Sequence, residues 1–292
     1  MMTQPTPADM DSGARAGQVP DDWAGTVESW EADGSAAPQH DPAPGVLLIC
    51  EHASNRTAAP WQALAQTPEL LDAHVASDPG ALGLARALGP LLARSCGGAE
   101  LVHAPLSRLI YDLNRSPDRP DACPAQSEIH TIGLNAGLDP AARLARTEAL
   151  YLPFHNLVRG RIARALALGS RPAIVTIHSF TPVWHGQPRA VEFGVIHDAL
   201  PRLAEQIVAE AGAQRLGLRT ELNAPYSAAD HVTHTLRLHA LPYGLENAML
   251  ELRNDLIATP DAQAAMAGRL APVLAGAIAG VTAAAGDTCR AS

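Results

Sequence analysis

The sequence has few of the residues that mark several common classes of protein. Its 292 residues include only four cysteines, which lie far apart and form no CxxC pair. A cysteine zinc site and a disulfide framework are therefore not expected. Charged residues make up only 17% of the chain, the formal net charge is -9, and no run of lysine and arginine occurs. These features argue against nucleic acid as a partner, although they leave room for a small anionic substrate.

Targeting signals, membrane signals and common catalytic motifs are also missing. The N-terminus, MMTQPTPADMDSGARAGQVPDD, has no cationic start followed by an apolar segment, so a signal peptide is not expected. No uninterrupted apolar run reaches the roughly 20 residues that span a bilayer. We therefore expect a cytoplasmic protein with no membrane partner, either a monomer or a small homo-oligomer. HExxH, GxSxG, GxGxxG and Walker sequences are absent.

What the chain does have is apolar material for a large core, since 47% of its residues are hydrophobic. Residues 1–44 predict a disordered tail because they are rich in Ala, Gly, Pro, Asp and Ser, and residues 286–292 predict a loose C-terminal tail. Residues 45–285 predict a single domain in which strands alternate with helices. This pattern indicates an α/β fold, a three-layer α/β/α sandwich around a mostly parallel or mixed sheet. The predicted strands are 46–50, 108–114, 173–178, 191–197 and 248–253, and the predicted helices are 79–96, 140–168, 200–212 and 262–285.

Three of the predicted strands end in residues that metal chemistry uses. His52 follows the first strand, His178 ends the strand 173–178, and Glu251 and Arg253 lie on the last strand. Ligands of open α/β sheets bind beyond the carboxyl ends of the strands, so these side chains are expected to converge there. Neutral imidazole is a preferred ligand of zinc. The alternative is that both histidines are hydrogen-bonded core residues.

Alternation along the last strand separates its apolar residues from its charged ones. Leu250 and Leu252 share one face, and Glu251 and Arg253 share the other. A buried strand carries two charges only when they are paired or used. A buried ion pair between Glu251 and Arg253 is therefore the alternative to a catalytic role.

A catalytic zinc site needs a third protein ligand, and the segment 74–78 offers two candidates. Asp78 and His74 both precede the first predicted helix. Asp78 is also suited to capping that helix. Further along the chain, Arg108 and Arg115 are candidates to bind a carboxylate, with a salt bridge from Arg108 to Asp112 or Asp78 as the alternative.

Six segments together resemble the N-formylglutamate amidohydrolase family. The most specific are TIHSFTP (176–182) and LELRNDL (250–256), and the others are CEHASNR (50–56), HVASDPGA (74–81), SRLIYDLNR (107–115) and NAPYS (223–227). They occur in the family's order between about residues 45 and 280. The family is related to zinc carboxypeptidases and aspartoacylases, so the resemblance implies their α/β/α fold with one zinc ion at the strand ends. It also implies hydrolysis of N-formyl-L-glutamate to formate and glutamate, a step of histidine breakdown.

The resemblance also implies roles for individual residues. His52 and His178 would be metal ligands, with Asp78 as the third ligand and His74 as its rival, because position 55 is Asn where related sites have Glu. Glu251 would be the general base, and Arg108 or Arg253 would stabilise the oxyanion. Arg115, with Asn114 and Ser179, would bind the substrate carboxylate. There are two alternatives: the substrate is another N-acyl amino acid or a short peptide, or the protein is a non-catalytic, carboxylate-binding descendant of the enzyme.

Overall fold

Short, largely buried segments build a seven-stranded mixed sheet. The computed structural model describes residues 23–37, 43–63 and 68–290, with side chains up to residue 283. The strand order in the sheet is β1-β3-β2-β6-β11-β9-β10. The strands are β1 (Thr26–Trp30), β2 (Val46–Cys50), β3 (Ala99–His103), β6 (Ala173–Phe180), β9 (Phe193–Ile196), β10 (Thr220–Leu222) and β11 (Asn247–Arg253), and two hairpins add β4 (Gln126–Ser127) with β5 (His130–Thr131) and β7 (Val183–Trp184) with β8 (Gln187–Pro188).

The four central strands are parallel, which brings their carboxyl ends to one edge of the sheet. β3 pairs with β2, β2 with β6, and β6 with β11, all in parallel. β1 and β9 run antiparallel to their inner neighbours, β3 and β11. The predicted α/β class and mixed central sheet are therefore confirmed.

Helices cover both faces of the sheet and divide the core into two halves. The helices are α1 (Pro68–Asp72), α2 (Ala81–Cys96), α3 (Pro140–Arg146), α4 (Leu152–Ala167), α5 (Arg202–Ala213), α6 (His234–His239) and α7 (Pro260–Arg290). α2, α5 and α7 pack on the face that carries Leu250 and Leu252. α4 and α6 pack on the opposite face, which carries Met249. Glu251 shares the side of Met249, as the alternation of the strand predicted.

Three predicted boundaries need correction. Residues 26–30 lie in the predicted tail 1–44 but form an edge strand, and the Trp30 ring lies so close to Gly89 of α2 that a Cβ there would be 2.3 Å from it. Residues 108–114 form turns instead of a strand because local groups bind their backbone: Asp112 donates its N–H to Ala122 O, and Asn114 donates its N–H to Asp112 Oδ1. α7 continues to Arg290, beyond the predicted end of the domain. Residues 1–22, 38–42 and 291–292 lie outside the described residues.

The strand β3 and the apolar character of α7 were not anticipated. β3 contains Glu100 and His103, which interrupt its apolar pattern, but Glu100 is buried against Arg161 of α4. Among the described residues, one helical stretch, Pro260–Ala283, is long and apolar enough to cross a membrane by length and composition, contrary to the reading of the sequence. Half of that stretch is buried in the fold, where it packs against α2 and α5.

Candidate metal and catalytic site

Three strand ends place His52, His178 and Glu251 next to one another. His178 on β6 lies directly opposite Glu251 on the neighbouring parallel strand β11. His52 follows β2, the other neighbour of β6. All three side chains are buried. The three side chains therefore converge at the carboxyl edge of the sheet, as the sequence predicted.

Asp78 joins the two histidines to form a compact cluster of ligand atoms. Its Oδ2 lies 3.2 Å from His52 Nδ1 and 2.9 Å from His178 Nδ1, and the two Nδ1 atoms are 3.2 Å apart. A tetrahedral ion with bonds of about 2.0–2.1 Å would have its ligand atoms roughly 3.3 Å apart. The separations of these two nitrogens and one oxygen therefore fit a group that could hold a metal ion.

A tight turn places Asp78 in the cluster, and Asp78 does not cap the following helix. The Asp78 N–H donates to His52 O at 2.9 Å, which ties the turn to the end of β2. Gly80, not Asp78, is the residue that precedes α2, and it has φ 84. A Cβ at Gly80 would lie 2.3 Å from Ile257 O, so both the backbone conformation and the space require glycine. The capping alternative for Asp78 is therefore not what the structure shows.

One further carboxylate lies next to the outer nitrogen of each histidine. His52 Nε2 lies 2.8 Å from Asp112 Oδ1, and His178 Nε2 lies 3.2 Å from Glu51 Oε2. A carboxylate at Nε2 favours the tautomer with its proton there and leaves Nδ1 as an electron-pair donor toward the cluster. Glu51 and Asp112 were missed as site residues. Their positions inside the CEHASNR and SRLIYDLNR segments were the available signal.

The cluster is strongly charged despite its burial. Burial alone would raise the pKa of Asp78 and Glu51, but the neighbouring histidines lower both, that of Glu51 to about 2 through His178. Burial also opposes the ionisation of Asp112, yet Arg108 and His52 hold its pKa well below the usual range. These three acids are therefore carboxylates at neutral pH.

Glu251 is the one acid of the site whose pKa moves upward. Its pKa is raised to about 7, chiefly by burial, with His178 opposing the shift and the charge of Asp78 adding to it. Among the described residues, no hydrogen-bond donor reaches its Oε2, although the atom is buried. Glu251 and Arg253 do not form the alternative buried ion pair, because Arg253 is bound elsewhere. Glu251 therefore has an oxygen able to accept a proton at neutral pH.

A cavity of about 230 Å³ lies over the cluster. Both polar and apolar side chains line it. The lining residues are His52, His74, Val75, Asp78, Arg108, Asn114, Arg115, Ser127, His178, Ser179, Phe180, Thr181, Trp184, Tyr226, Val232, Met249 and Glu251.

The three candidate arginines occupy different positions. Arg108 lines the cavity and donates from Nη1 to Asp78 at 3.2 Å and from Nη2 to Asp112 at 2.7 Å. The salt-bridge alternative for Arg108 is therefore present in the structure. Arg115 lines the cavity and contacts Asp121 through Nε at 3.2 Å.

Arg253 is not brought to the cavity, contrary to the expected catalytic position. Its Nε lies 2.8 Å from Asp255 Oδ1, and its Nη2 lies 3.4 Å from Glu192 Oε1. It is the last residue of β11, and these two carboxylates draw the guanidinium away from the strand end.

The remaining candidates line the cavity, and their polar groups contact other residues of the protein. Asn114 donates to Val232 O at 2.5 Å and accepts from the Thr235 N–H at 3.0 Å, so its amide holds two segments together. Ser179 donates from Oγ to Pro79 O at 2.8 Å. His74 lies against Glu128, with Nε2 3.1 Å from Oε2, and is not a member of the ligand cluster. The geometry thus favours Asp78 over His74 as a third ligand.

Comparison with known proteins supports the same assignment of family and fold. Residues 45–258 match the family described as N-formylglutamate amidohydrolase. The gene product Atu2144 from Agrobacterium tumefaciens has 45% sequence identity and a TM-score of 0.77, over 88% of this chain and 96% of that one. The N-formylglutamate amidohydrolase from Ralstonia eutropha JMP134 has 15% identity and a TM-score of 0.57, over 89% of this chain and 98% of that one, which shows a common fold. A search of curated proteins gives no significant match.

Proposed function

Because the chain belongs to the N-formylglutamate amidohydrolase family, we propose that it is a metal-dependent hydrolase of the amide bond in an N-acyl amino acid. N-formyl-L-glutamate, which would give formate and L-glutamate, is the first substrate to test. One observation carries the proposal: the buried Glu251 carboxylate, with an oxygen that accepts no hydrogen bond from the described residues, lies beside the cluster of His52, Asp78 and His178. The pairing of a proton acceptor with a ligand cluster is what metal-assisted hydrolysis requires.

His52, Asp78 and His178 would hold one divalent ion, for which zinc is the first candidate. Two imidazole nitrogens and one carboxylate oxygen form a donor set that zinc accepts, and three protein ligands are typical of catalytic zinc sites. When bound, such an ion would supply Lewis acidity for the attack of water on an amide carbonyl. Glu51 and Asp112 would keep the two imidazole rings in the orientation that directs Nδ1 toward the ion.

Glu251 is assigned to proton transfer. In this role its carboxylate takes a proton from the attacking water as the new carbon–oxygen bond forms. The same proton then passes to the amide nitrogen as the carbon–nitrogen bond breaks, so the amine leaves neutral. A pKa of about 7 suits both steps, because the group can accept and return a proton at neutral pH.

Arg115 is assigned to the substrate carboxylate. It lies on the cavity wall, and only one carboxylate, that of Asp121, contacts it among the described residues. Asp121 also pairs with Arg119, so Arg115 shares this carboxylate with a second guanidinium. Asn114 and Ser179 would support the binding site by fixing the backbone around it.

The proposal is tested by metal analysis and a hydrolysis assay on the purified protein. N-formyl-L-glutamate, N-acetyl-L-glutamate and N-formyl-L-aspartate form the first substrate panel, with formate or acetate and the free amino acid measured. Glu251→Gln should remain folded and keep its metal while kcat falls by about 10²–10⁴-fold, because glutamine cannot accept the proton. His178→Ala should lose metal and activity together.

Two results would contradict the proposal. Glu251→Gln with undiminished kcat would remove the general base, and His178→Ala with full metal content would show that the histidine is structural. Glu221→Gln is the matched control for the glutamate substitution, because Glu221 lies on β10, outside the cavity, and pairs with Arg219. It should retain both metal and activity.

A further inference from the structure

An arginine surrounded by three aromatic rings backs one wall of the cavity. The Arg189 guanidinium lies 5.5 Å from the Phe180 ring centroid, 5.0 Å from that of Trp184 and 5.0 Å from that of Tyr226. All three aromatic residues line the cavity. Cation–π contacts of this kind hold an arginine in a fixed orientation. The wall is therefore a rigid unit with Arg189 at its centre.

Arg189 also contacts the polar end of Tyr226. Its Nη1 donates to the Tyr226 hydroxyl oxygen at 3.0 Å. Because a guanidinium has donors only, the hydroxyl must be the acceptor, and its own hydrogen stays available. Among the described residues no group accepts that hydrogen. The hydroxyl of this cavity residue can therefore donate a hydrogen bond to a bound molecule.

The surroundings keep this hydroxyl protonated. Burial raises the pKa of Tyr226, and the negative charges of Glu251 and Asp78 raise it further, while Arg189 opposes them. Those same interactions place the hydroxyl within the electrostatic reach of the proposed base and a proposed ligand. At neutral pH Tyr226 can therefore donate a hydrogen bond but does not supply a negative charge.

The arginines expected to stabilise an oxyanion are less well placed for that task. Both terminal nitrogens of Arg108 already donate to carboxylates, those of Asp78 and Asp112. Arg253 is bound to Asp255 and Glu192 and does not line the cavity. The Tyr226 hydroxyl donates to none of the described residues, so its hydrogen is available to a substrate oxygen, whereas Arg108 is held in place by two carboxylates.

We propose that the Tyr226 hydroxyl donates a hydrogen bond to the carbonyl oxygen of the scissile amide and stabilises its negative charge, and that Arg189 positions this hydroxyl. The inference rests on the proposed amidohydrolase function. As water adds to the carbonyl carbon, the carbon–oxygen π pair moves to the oxygen, which accepts the hydrogen bond without taking the proton. The water proton goes to Glu251 and then to the leaving nitrogen. Tyr226 is thus a catalytic residue and Arg189 a positioning residue.

The segment before Tyr226 is built to hold it in place. Asn223 has φ 53 and donates its N–H to Val195 O on β9 at 2.8 Å. The next carbonyl, Ala224 O, packs against Gly194 so closely that a Cβ there would be 1.8 Å away. Only glycine at position 194 allows this approach, which fixes the chain two residues before Tyr226 against the sheet.

Tyr226→Phe is the direct test because it removes the hydroxyl and keeps the ring. We expect kcat to fall by about 10²–10³-fold, the usual effect of losing one oxyanion donor, while KM changes less than about threefold. Affinity for a phosphonate analogue of the substrate, which carries the tetrahedral charge, should fall by a similar factor. Metal content and the thermal midpoint should stay at the wild-type values. Tyr151→Phe is the matched control, since its hydroxyl bonds His234 outside the cavity, and it should keep wild-type kcat.

A second variant separates positioning from catalysis. Arg189→Gln should lower kcat in the wild-type background but add little to the loss in a Tyr226→Phe background, because its effect passes through the missing hydroxyl. If Arg189→Gln lowered kcat by the same factor in both backgrounds, the positioning role of Arg189 would be wrong. Unchanged kcat, or a change in KM alone, for Tyr226→Phe in an active enzyme would overturn the role of Tyr226 and leave the proposed function standing. A metal-loaded wild-type protein that hydrolyses no N-acyl amino acid would overturn both.

Discussion

At the scale of single residues, the site depends on which nitrogen of each histidine faces the cluster. In both rings Nδ1 faces Asp78 and Nε2 faces a second carboxylate, Asp112 for His52 and Glu51 for His178. Residue types and strand ends predicted that His52 and His178 would converge, but they left Asp78 and His74 as rivals for the third position of the cluster. The outer carboxylates could not be assigned in this way, because Asp112 lies 60 positions from His52 and the fold alone brings them together.

Glu51→Gln tests whether this outer carboxylate tunes the ligand cluster. The substitution keeps the size of the side chain but removes a buried negative charge beside His178 Nε2. We expect the dissociation constant for zinc to rise by roughly 10–100-fold, the usual effect of losing a group that orients a metal ligand. Competition with a chromogenic chelator measures this constant.

The matched control for Glu51 is Glu100, another buried glutamate. Glu100 lies on β3 and pairs with Arg161 on α4, and neither residue lines the cavity. Glu100→Gln should lower the thermal midpoint without changing zinc affinity. Equal zinc affinity for Glu51→Gln and the wild-type protein would mean that Glu51 does not tune the ligand cluster.

At the scale of elements, apolar runs were predictable, whereas short strands and strands that contain charged residues were not. The strands β2, β6 and β11 carry the site, and their apolar runs placed them within two residues of their observed ends. β1 was missed because its sequence, TVESW, is short and follows a segment of disorder-like composition. The segment 108–114 alternates like a strand, yet turns form there because its Asp and Asn side chains bind local backbone.

Trp30→Ala tests whether β1 belongs to the folded domain. Trp30 packs on Gly89 of α2 and pairs with Ala99 at the sheet edge. Removing a partly buried indole should cost about 2 kcal/mol, below the 3–5 kcal/mol typical of a fully buried one. For a domain of this size that corresponds to a fall of roughly 4–8 °C in the thermal midpoint, measured by calorimetry.

Deletion of residues 1–22 is the companion to this substitution. The composition of this segment predicts that it contributes nothing to stability, so the thermal midpoint should stay within about 1 °C of that of the full chain. Deletion of residues 1–37 should lower it at least as much as Trp30→Ala. If the longer deletion left the midpoint unchanged, the pairing of β1 with β3 would contribute nothing to stability.

At the scale of the whole molecule, the two halves of the core differ in polarity. The half under α2, α5 and α7 is built from aliphatic side chains. The half under α4 and α6 also holds the ligand cluster and a buried pair of histidines, His155 and His239. The family and the α/β class could be read from the chain because motif order and apolar periodicity are local. The polar contents of this second half depend on contacts between distant segments, so they emerged only from the fold.

The tautomers of the buried histidine pair follow from their partners. His155 Nε2 lies 2.9 Å from Leu113 O, a pure acceptor, so Nε2 carries the proton and Nδ1 is unprotonated. His239 Nε2 therefore donates to His155 Nδ1 over 2.8 Å. Burial, together with the neighbouring histidines, lowers the pKa of His155 to about 3 and that of His239 to about 4. Both rings are neutral in the folded protein at every pH where it is expected to be stable.

His155→Gln should make the stability of the protein less sensitive to acid. An unfolded histidine binds a proton as the pH falls through about 6.5, whereas folded His155 stays neutral until about pH 3, so acid favours the unfolded state across that interval. His155 therefore costs no stability above pH 6.5, and below that pH it lowers the free energy of unfolding by about 1.4 kcal/mol per pH unit. Glutamine can donate to Leu113 O and accept from His239, so it keeps both hydrogen bonds without binding a proton. Urea unfolding of the metal-free proteins between pH 6.5 and 4.5 should therefore show a decline smaller by about 2–3 kcal/mol for His155→Gln. Unfolded carboxylates begin to titrate at the acid end of this window, but they do so in both proteins and cancel in the comparison. Parallel curves for the two proteins would therefore mean that His155 is not held neutral by the fold.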